Sequence, residues 1–200
     1  MLYEMKLKCY QTCKIDASDW NTIFSNFPHF ASEYSSEKKQ WLGEGYYFWT
    51  DSIRNAEWWG KRRLKAPYCI TEYFIKINSE LLLDLSGNAE HMEYLYQLKA
   101  FFLDNYNKNY PNQEVPEPTI SGLVEYFRKF YKSEMFEFNA IKIHHNFYDK
   151  SFKSIYMTSD SKEFFEGIPR IQLCVFHENV ACIKDKFPIF PDDYCEYIAS

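Results

Sequence analysis

The stretch LGEGYYFWTD, residues 42–51, decides the fold. Two glycines flank Glu44, and the chain then enters a run of aromatic residues at 46–49. A glycine lets the backbone approach a ligand with no Cβ in the way, and an aromatic strand beside it offers a ring for stacking. The stretch therefore predicts a short strand over 45–49 that borders a site for a flat heteroaromatic ligand. From these residues alone it stays open whether the aromatic rings belong to the core or face that ligand.

Patterns of regular structure lie on both sides of this stretch. Upstream, MLYEMKLKCYQ at 1–11 alternates apolar and charged residues, which predicts a half-buried strand. Downstream, Asp51 is a suitable N-cap for a helix over DSIRNAEWWG, 51–60, and Gly60 is placed to end that helix. A further strand is predicted over CITEYFIKI, 69–77.

The rest of the chain divides into a helical middle and an end rich in strands. Apolar residues recur at spacings of three and four over 92–102 and 120–131, which predicts two helices joined by the proline-broken loop YPNQEVPEP. Strands are predicted in KSIYM, IQLCVF and VACIK, the last two as a hairpin turning at His177. Because the strands bracket a helical insertion at about 88–135 and do not alternate with helices, the sequence predicts one α+β domain over 1–200.

Composition weighs against several classes of function. The net charge of −5 and the pI of about 5.6 disfavour binding to nucleic acid through phosphate neutralisation, and the dense basic run at 60–65 is expected to be a solvated turn. With neither a signal peptide nor a membrane-length apolar stretch, the chain is expected to be cytoplasmic, with no membrane partner and with its six cysteines reduced. No metal is expected, because Cys9 and Cys13, the thiols considered with His144 and His145, lack the short spacing typical of zinc.

The region 43–59 resembles a known family. G-x-G-Y-Y-F at 43–48, followed by Thr-Asp at 50–51 and A-x-x-W at 56–59, is similar to the G-x-G-[IF]-Y-[FL]-[AT] strand and A-x-x-[WY] helix of the ADP-ribosyltransferase superfamily, in its diphtheria-toxin and poly(ADP-ribose) polymerase-like branch. The resemblance implies a split antiparallel β-sheet around an NAD cleft. It also implies that Tyr47 stacks on the nicotinamide, since Tyr47 matches the family tyrosine.

Two other signature positions of the family hold glutamine in this chain. The first strand of the family ends in a Tyr-His-Gly-Thr motif, and the corresponding residues here are Tyr10-Gln11-Thr12-Cys13. Gln11 can hydrogen-bond a ribose hydroxyl in place of the His, whereas Thr12 replaces the glycine that grips the nicotinamide amide. Gln172, in RIQLCVF, stands where the family commonly has Glu. An amide there can orient the ribose 2′-hydroxyl or the acceptor, but it adds little charge stabilisation to an oxocarbenium-like transition state.

The resemblance therefore implies an NAD-dependent mono-ADP-ribosyltransferase that modifies a macromolecular target, because relatives without the Glu are mono-transferases or are inactive. It assigns catalysis to Gln11, Tyr47 and Gln172. It assigns NAD binding to Tyr10, Gln11, Thr12, Gly45, Tyr46, Tyr47, Arg54 and Trp59. The chain also resembles the stand-alone transferases of bacterial toxin and phage-defence systems, which implies an antitoxin or immunity protein as a partner.

Two alternatives stay open at this level. A catalytically inactive domain of the same fold would bind NAD, ADP-ribose or a protein without turnover. A structural or interaction protein would use all of its aromatic residues as core. Arg54, on the helix after the tyrosine strand, is placed either for a pyrophosphate contact or for a surface salt bridge.

Overall fold

A computed structural model of the protein describes residues 4–15, 19–32, 40–115, 117–132, 134–145, 155–156, 164–165 and 170–199. The strands within these ranges are β1 (Glu4–Lys14), β2 (Phe30–Ala31), β3 (Gly45–Thr50), β4 (Tyr68–Asn78), β5 (Leu82–Asp84), β6 (Ala140–His144), β7 (Ile155–Tyr156), β8 (Phe164–Phe165), β9 (Ile171–Val175) and β10 (Ile183–Phe190). The helices are α1 (Trp20–Ser25), α2 (Ile53–Trp59), α3 (Ala89–Asn109), α4 (Ile120–Phe130) and α5 (Asp192–Ala199).

Eight of these strands form one mixed sheet in the order β10-β4-β1-β3-β9-β6-β5, with β2 paired to β3 beside this path. β7 and β8 pair with each other separately. The predicted α+β class is confirmed. The resemblance implies a split antiparallel sheet, whereas the observed sheet is mixed, because β5 and β6 run parallel. The physical reason is the helical insertion: α3 and α4 form a crossover connection, which is what joins parallel neighbours.

The predicted strand at 45–49 and the predicted two-helix insertion are confirmed as β3 and as α3 with α4. The predicted hairpin after His177 is wrong, since His177–Cys182 forms a 3₁₀ turn and β10 then pairs with β4 at the far edge of the sheet. There Ile183 packs against the main apolar cluster, which covers an edge of β4 that would otherwise be open. Of the predicted strand KSIYM, only 155–156 lies within the described residues.

The helix after β3 begins later than predicted. Asp51 adopts a left-handed conformation with φ 64°, and Ser52 is the N-cap. Gly60 does not end the helical path, since the backbone continues as a π turn over Gly60–Leu64. A Cβ on Gly60 would lie 2.5 Å from the ring of Tyr68, so glycine is needed there for packing and not for capping. The expected exposure of the basic run is confirmed for its charged residues.

The β1 strand has very different pairing on its two sides. It pairs with β4 along all 11 of its residues. With β3 its register consists of Cys9 opposite Thr50 and Tyr10 opposite Trp49. Beyond Tyr10 the two strands diverge, which opens a gap in the sheet next to the aromatic strand.

Apolar side chains of the described residues form three buried clusters around this gap. The largest lies on one face of the sheet and includes Phe48 and Tyr73. A second packs under α3 and α4, with Tyr47 at its margin. The third lies between α2 and the sheet and includes Tyr10 and Trp49. The strand 45–50 therefore contributes aromatic side chains to all three clusters. Most of its aromatic residues serve the core.

Candidate ligand site between β1 and β3

A cavity of about 450 Å³ lies where β1 and β3 diverge. Pockets that bind small ligands commonly have volumes of roughly 300–1,000 Å³. Five of the residues predicted from the sequence line this cavity: Gln11, Thr12, Tyr47, Trp59 and Gln172. They come from β1, β3, α2 and β9, so the fold brings together residues that lie up to 161 positions apart in the chain, from 11 to 172.

Gln11 is buried, and its side-chain amide bridges the gap between the strands. Its Nε2 donates to the backbone oxygen of Tyr47 at 3.1 Å and to that of His29 at 3.0 Å. Its Oε1 accepts the backbone N–H of His29 at 2.5 Å. The amide thus takes the place of a peptide group where the β1–β3 ladder stops. The predicted contact of Gln11 with a ribose requires that one of these bonds be exchanged.

Thr12 and Trp59 form the wall of the cavity towards α2. The Thr12 hydroxyl donates to the backbone oxygen of Ala56 at 2.8 Å and thereby ties the end of β1 to the helix. The indole of Trp59 lies 5.8 Å from that of Trp49, measured between ring centroids, and both rings border the cavity. Trp59 is half-buried and offers a flat apolar surface for stacking against a ligand, whereas Trp49 is 3% exposed and packs behind it.

Tyr47 presents a half-buried ring to the same cavity. Its hydroxyl donates to the backbone oxygen of Gly43 at 2.7 Å and accepts the N–H of Leu42 at 3.0 Å. The phenol therefore fixes the turn that precedes β3, while the ring remains available to the cavity. The resemblance predicts that this ring stacks on nicotinamide, and the structure places it at the cavity.

The two glycines of the opening stretch serve the turn and the sheet. Gly43 has φ 84°, a left-handed conformation that favours glycine. A Cβ on Gly45 would lie 2.7 Å from the sulfur of Cys174 and 2.7 Å from the backbone oxygen of Val175. Neighbouring protein atoms therefore fill the space beside Gly45. The prediction that Gly45 leaves room there for a ligand does not fit this packing.

Three further residues predicted to bind NAD are not among the described residues that line the cavity. Tyr10 packs in the cluster between α2 and the sheet. Tyr46 lies on the opposite face of β3 from Tyr47, and its hydroxyl is 3.3 Å from Nδ1 of His177. Arg54 is half-buried in the first turn of α2. Strand alternation explains Tyr46, because neighbours of a residue that faces the cavity point the other way. Tyr10 shares the face of its register partner Trp49, and it lies where β1 and β3 are still paired, before the gap opens.

Gln172 is buried on β9, directly opposite Trp49 in the sheet. Its Oε1 accepts a hydrogen bond from the indole N–H of Trp41 at 2.9 Å. The amide at the position of the family Glu therefore also holds a tryptophan that lines the cavity.

His145 lines the cavity as well, although the sequence pattern did not predict it as a ligand-binding residue. The signal lies in IKIHH at 141–145: alternation along β6 places its last residues on two faces, and His145 follows the face of Ile141 and Ile143. On β9, Gln172 pairs with Ile143, and the backbone N–H of His145 donates to the oxygen of Arg170 at 2.7 Å. This register brings His145 to the same face as Gln172.

Tryptophan rings surround His145. Its imidazole lies 5.1–6.2 Å, between centroids, from the indoles of Trp41, Trp49, Trp58 and Trp59, in edge-to-face arrangements. Four of the five tryptophans in the chain therefore meet at one imidazole. Such a concentration of rings cannot be inferred from the spacing of the residues along the sequence.

Burial and the nearby charges of Arg170 and Arg63 lower the pKa of His145 from 6.5 to about 4. The imidazole is therefore neutral at neutral pH. The Arg170 guanidinium lies 3.8 Å from the centroid of the Trp58 ring, so positive charge sits beside the indoles. The described lining residues themselves include no Arg or Lys, so the aromatic lining suits a ligand with a flat ring, and Arg170 adds positive charge behind it.

The side chains that line the cavity define the chemistry they can supply. Among the described lining residues there is no carboxylate. Within the described ranges, no three or more His, Cys, Asp or Glu side chains lie close enough together to hold a metal ion. The lining residues therefore offer hydrogen bonds from amides, stacking from indoles and a phenol, and proton transfer by an imidazole.

Comparison of the chain with models of protein families, with curated proteins and with solved structures found no match. In the described ranges, no helix is both long and apolar enough to span a membrane.

Proposed function

We propose that this protein is an NAD-dependent mono-ADP-ribosyltransferase and that the cavity between β1 and β3 is its NAD site. The observation that carries the proposal is that Gln11, Tyr47 and Gln172, taken from three separate motifs, line one cavity. A chance match of short motifs gives no reason for them to meet in space. The limited pairing of β1 with β3 further supports a split sheet of the ADP-ribosyltransferase type.

The ligand surface supports a dinucleotide. NAD carries flat rings at its two ends and a negatively charged pyrophosphate between them. Tyr47 and Trp59 are half-buried lining rings that offer surfaces for stacking, and the charges of Arg170 and Arg63 act on His145, which lines the same cavity. In the proposed complex Tyr47 stacks on the nicotinamide.

The proposed reaction transfers ADP-ribose from NAD to an acceptor. The bond between nicotinamide and the ribose C1′ breaks, its electron pair leaves with nicotinamide, and an acceptor atom attacks the oxocarbenium-like ribose. Gln172 orients the ribose 2′-hydroxyl or the acceptor, and Gln11 contacts the ribose after exchange of a bond to the backbone. The acceptor is proposed to be a macromolecule in the cytoplasm, with an antitoxin or immunity protein as partner, on the strength of the family resemblance.

A second candidate is an inactive domain that binds NAD or ADP-ribose without turnover. The observation that favours it is the state of the two glutamines. Both the Gln11 amide and the Gln172 carbonyl oxygen hydrogen-bond protein groups, and the described lining residues include no carboxylate. A site of this kind still stacks and hydrogen-bonds a ligand, but it gives little stabilisation to a developing positive charge.

Calorimetric titration with NAD tests the site. Wild type is expected to bind, and Tyr47→Ala is expected to weaken binding at least about 10-fold, because loss of a base-stacking ring costs roughly 1–3 kcal/mol. Tyr96→Ala is the matched control, since Tyr96 is an exposed tyrosine on α3 outside the cavity. Absence of binding at millimolar NAD, or equal affinity in both variants, contradicts the proposed site.

Nicotinamide release separates the enzyme from the inactive domain. A weak enzyme is expected to release nicotinamide, and Gln172→Glu is expected to raise that rate because a carboxylate stabilises the positive charge on the ribose. An inactive domain binds NAD and releases none in either form. The indole N–H of Trp41 can donate to a carboxylate oxygen as it does to the Gln172 amide, so the substitution preserves that contact.

A further inference from the structure

We propose that His145 is a catalytic residue of this site, the base that accepts the proton of the attacking acceptor. The inference rests on the proposed function and deepens it. It fills the role that the family resemblance leaves without a residue, since Gln11 and Gln172 carry amides that do not take up protons at neutral pH.

The first support is position. His145 lines the cavity together with Tyr47 and Gln172 and is 7% exposed. Its backbone N–H is fixed to the oxygen of Arg170 at 2.7 Å, next to β9. His145 follows Ile143 by two residues and so lies on the same face of the sheet, and Ile143 pairs with Gln172. A base on this wall of the cavity is close to the path by which the group that receives ADP-ribose must approach the ribose.

The second support is the orientation of the ring. The indole of Trp49 lies 5.1 Å from the imidazole and that of Trp41 lies 5.7 Å away, both edge-to-face. Rings packed in this way restrict rotation of the imidazole, which favours a defined position for proton transfer.

The third support is the charge state. Burial, Arg170 and Arg63 keep the imidazole of the empty site neutral, with a pKa of about 4, so it is able to accept a proton. The negative charge of a dinucleotide bound in the cavity opposes the effect of these two charges on His145 and raises the proton affinity of the imidazole. Binding of the dinucleotide thus converts a weak base into a stronger one.

The proposed step transfers ADP-ribose from NAD to an acceptor and moves one proton to His145. A lone pair of the acceptor forms a bond to the ribose C1′, and the bond from C1′ to the nicotinamide nitrogen breaks with its electrons remaining on nicotinamide. The acceptor proton moves to an imidazole nitrogen of His145. The imidazolium then returns the proton to solvent. With water as acceptor, the products are ADP-ribose, nicotinamide and a proton, and no further reactant is needed.

His29 is the other histidine at the cavity. Its side chain is exposed, and its backbone groups hold the Gln11 amide. Solvent around an exposed imidazole weakens its control over proton transfer, so His145 is the better placed of the two. His144 offers a matched control, because its Nε2 lies 3.1 Å from the backbone oxygen of Ser86, outside the cavity.

The test uses the full chain, NAD as ligand and water as acceptor. Nicotinamide release and calorimetric NAD affinity are measured for wild type, His145→Ala and His144→Ala. His145→Ala is expected to lose about 100-fold or more in turnover, as loss of a general base does, while its NAD dissociation constant changes by less than about threefold. Added imidazole is expected to restore turnover in His145→Ala and to leave His144→Ala unchanged.

The pH profile supplies a second readout that does not depend on the alanine variant. In wild type, turnover is expected to fall as the pH drops through the pKa of the bound-state imidazole. His145→Asn keeps a polar side chain but has no group that titrates near that pKa. Its turnover is expected to be low and not to vary with pH around that pKa. If His145→Ala fails to fold, the asparagine variant and its pH profile carry the test alone.

The possible outcomes separate the two proposals. If wild type does not bind NAD, both the proposed function and this inference are overturned. If wild type binds NAD but releases no nicotinamide, the NAD site stands, whereas the transferase activity and the role of His145 are both overturned. If turnover is unaffected by His145→Ala, or if imidazole gives no rescue to a folded variant, only the role of His145 is overturned.

Discussion

Acid should destabilise this protein through one buried imidazole. Above about pH 6.5 His145 is neutral in both the folded and the unfolded chain and contributes no pH dependence. As the pH falls, the unfolded chain takes up a proton near 6.5, whereas the folded protein does so only near 4. The unfolded state therefore binds more protons between these values, and the free energy of unfolding decreases across that window.

The size of the effect follows from the two pKa values. A difference of 6.5 against about 4 corresponds to a loss of about 2.5 kcal/mol between pH 7.5 and 4.5. Water and salt screen the guanidinium charges of Arg170 and Arg63, so about 2 kcal/mol is the value we expect to observe. On the scale of total domain stability, roughly 5–15 kcal/mol, this loss is large enough to measure.

Urea unfolding at pH 7.5 and 4.5 measures the effect in wild type and in His145→Asn. Other groups titrate in both proteins, so the quantity of interest is the difference between their pH dependences. Wild type should lose about 2 kcal/mol more than the variant over this interval. His144→Asn should behave as wild type. Equal losses in wild type and His145→Asn would refute both the depressed pKa and the neutral state on which the base role depends.

Three further changes test the packing around the site by urea or thermal unfolding. Gly45→Ala should cost about 1–3 kcal/mol because its Cβ meets β9 at 2.7 Å, whereas Gly87→Ala, whose Cβ has 3.8 Å to its neighbour, should be nearly neutral. Tyr47→Phe should cost about 1–3 kcal/mol, because it removes the hydroxyl that pairs with two backbone groups of the turn before β3. Lys186→Met should cost about 1.5–3 kcal/mol, since its ammonium donates at 2.6 Å and 3.0 Å to two backbone oxygens near α1, and the exposed Lys184→Met should change little. Equal effects in a variant and its control would contradict the corresponding contact.

The sequence by itself determined the local elements. Alternation specified β1, the aromatic run specified β3, and spacings of three and four specified α3 and α4. These patterns are local because each element must bury one face or stripe whatever its partner. The α+β class followed from their order along the chain.

Tertiary structure decided which elements are neighbours and what meets at the site. β10 pairs with β4 and not with β9, because β3 and β6 already occupy both sides of β9, whereas the outer side of β4 is open to another strand. The approach of Gly45 to β9 depends on the same kind of long-range pairing. Sequence periodicity cannot specify such choices, because several pairings bury the same face of a strand equally well.

His145 shows this limit most clearly. Its place at the end of an alternating strand is visible in IKIHH, but its four indole neighbours come from three separate segments, at 41, 49 and 58–59. Its neutral state arises from burial and from Arg63 and Arg170, which lie 82 positions before it and 25 after it in the chain. Motif and spacing determined which residues border the aromatic strand, whereas the environment of the imidazole, and hence its chemistry, exists only once the strands have paired.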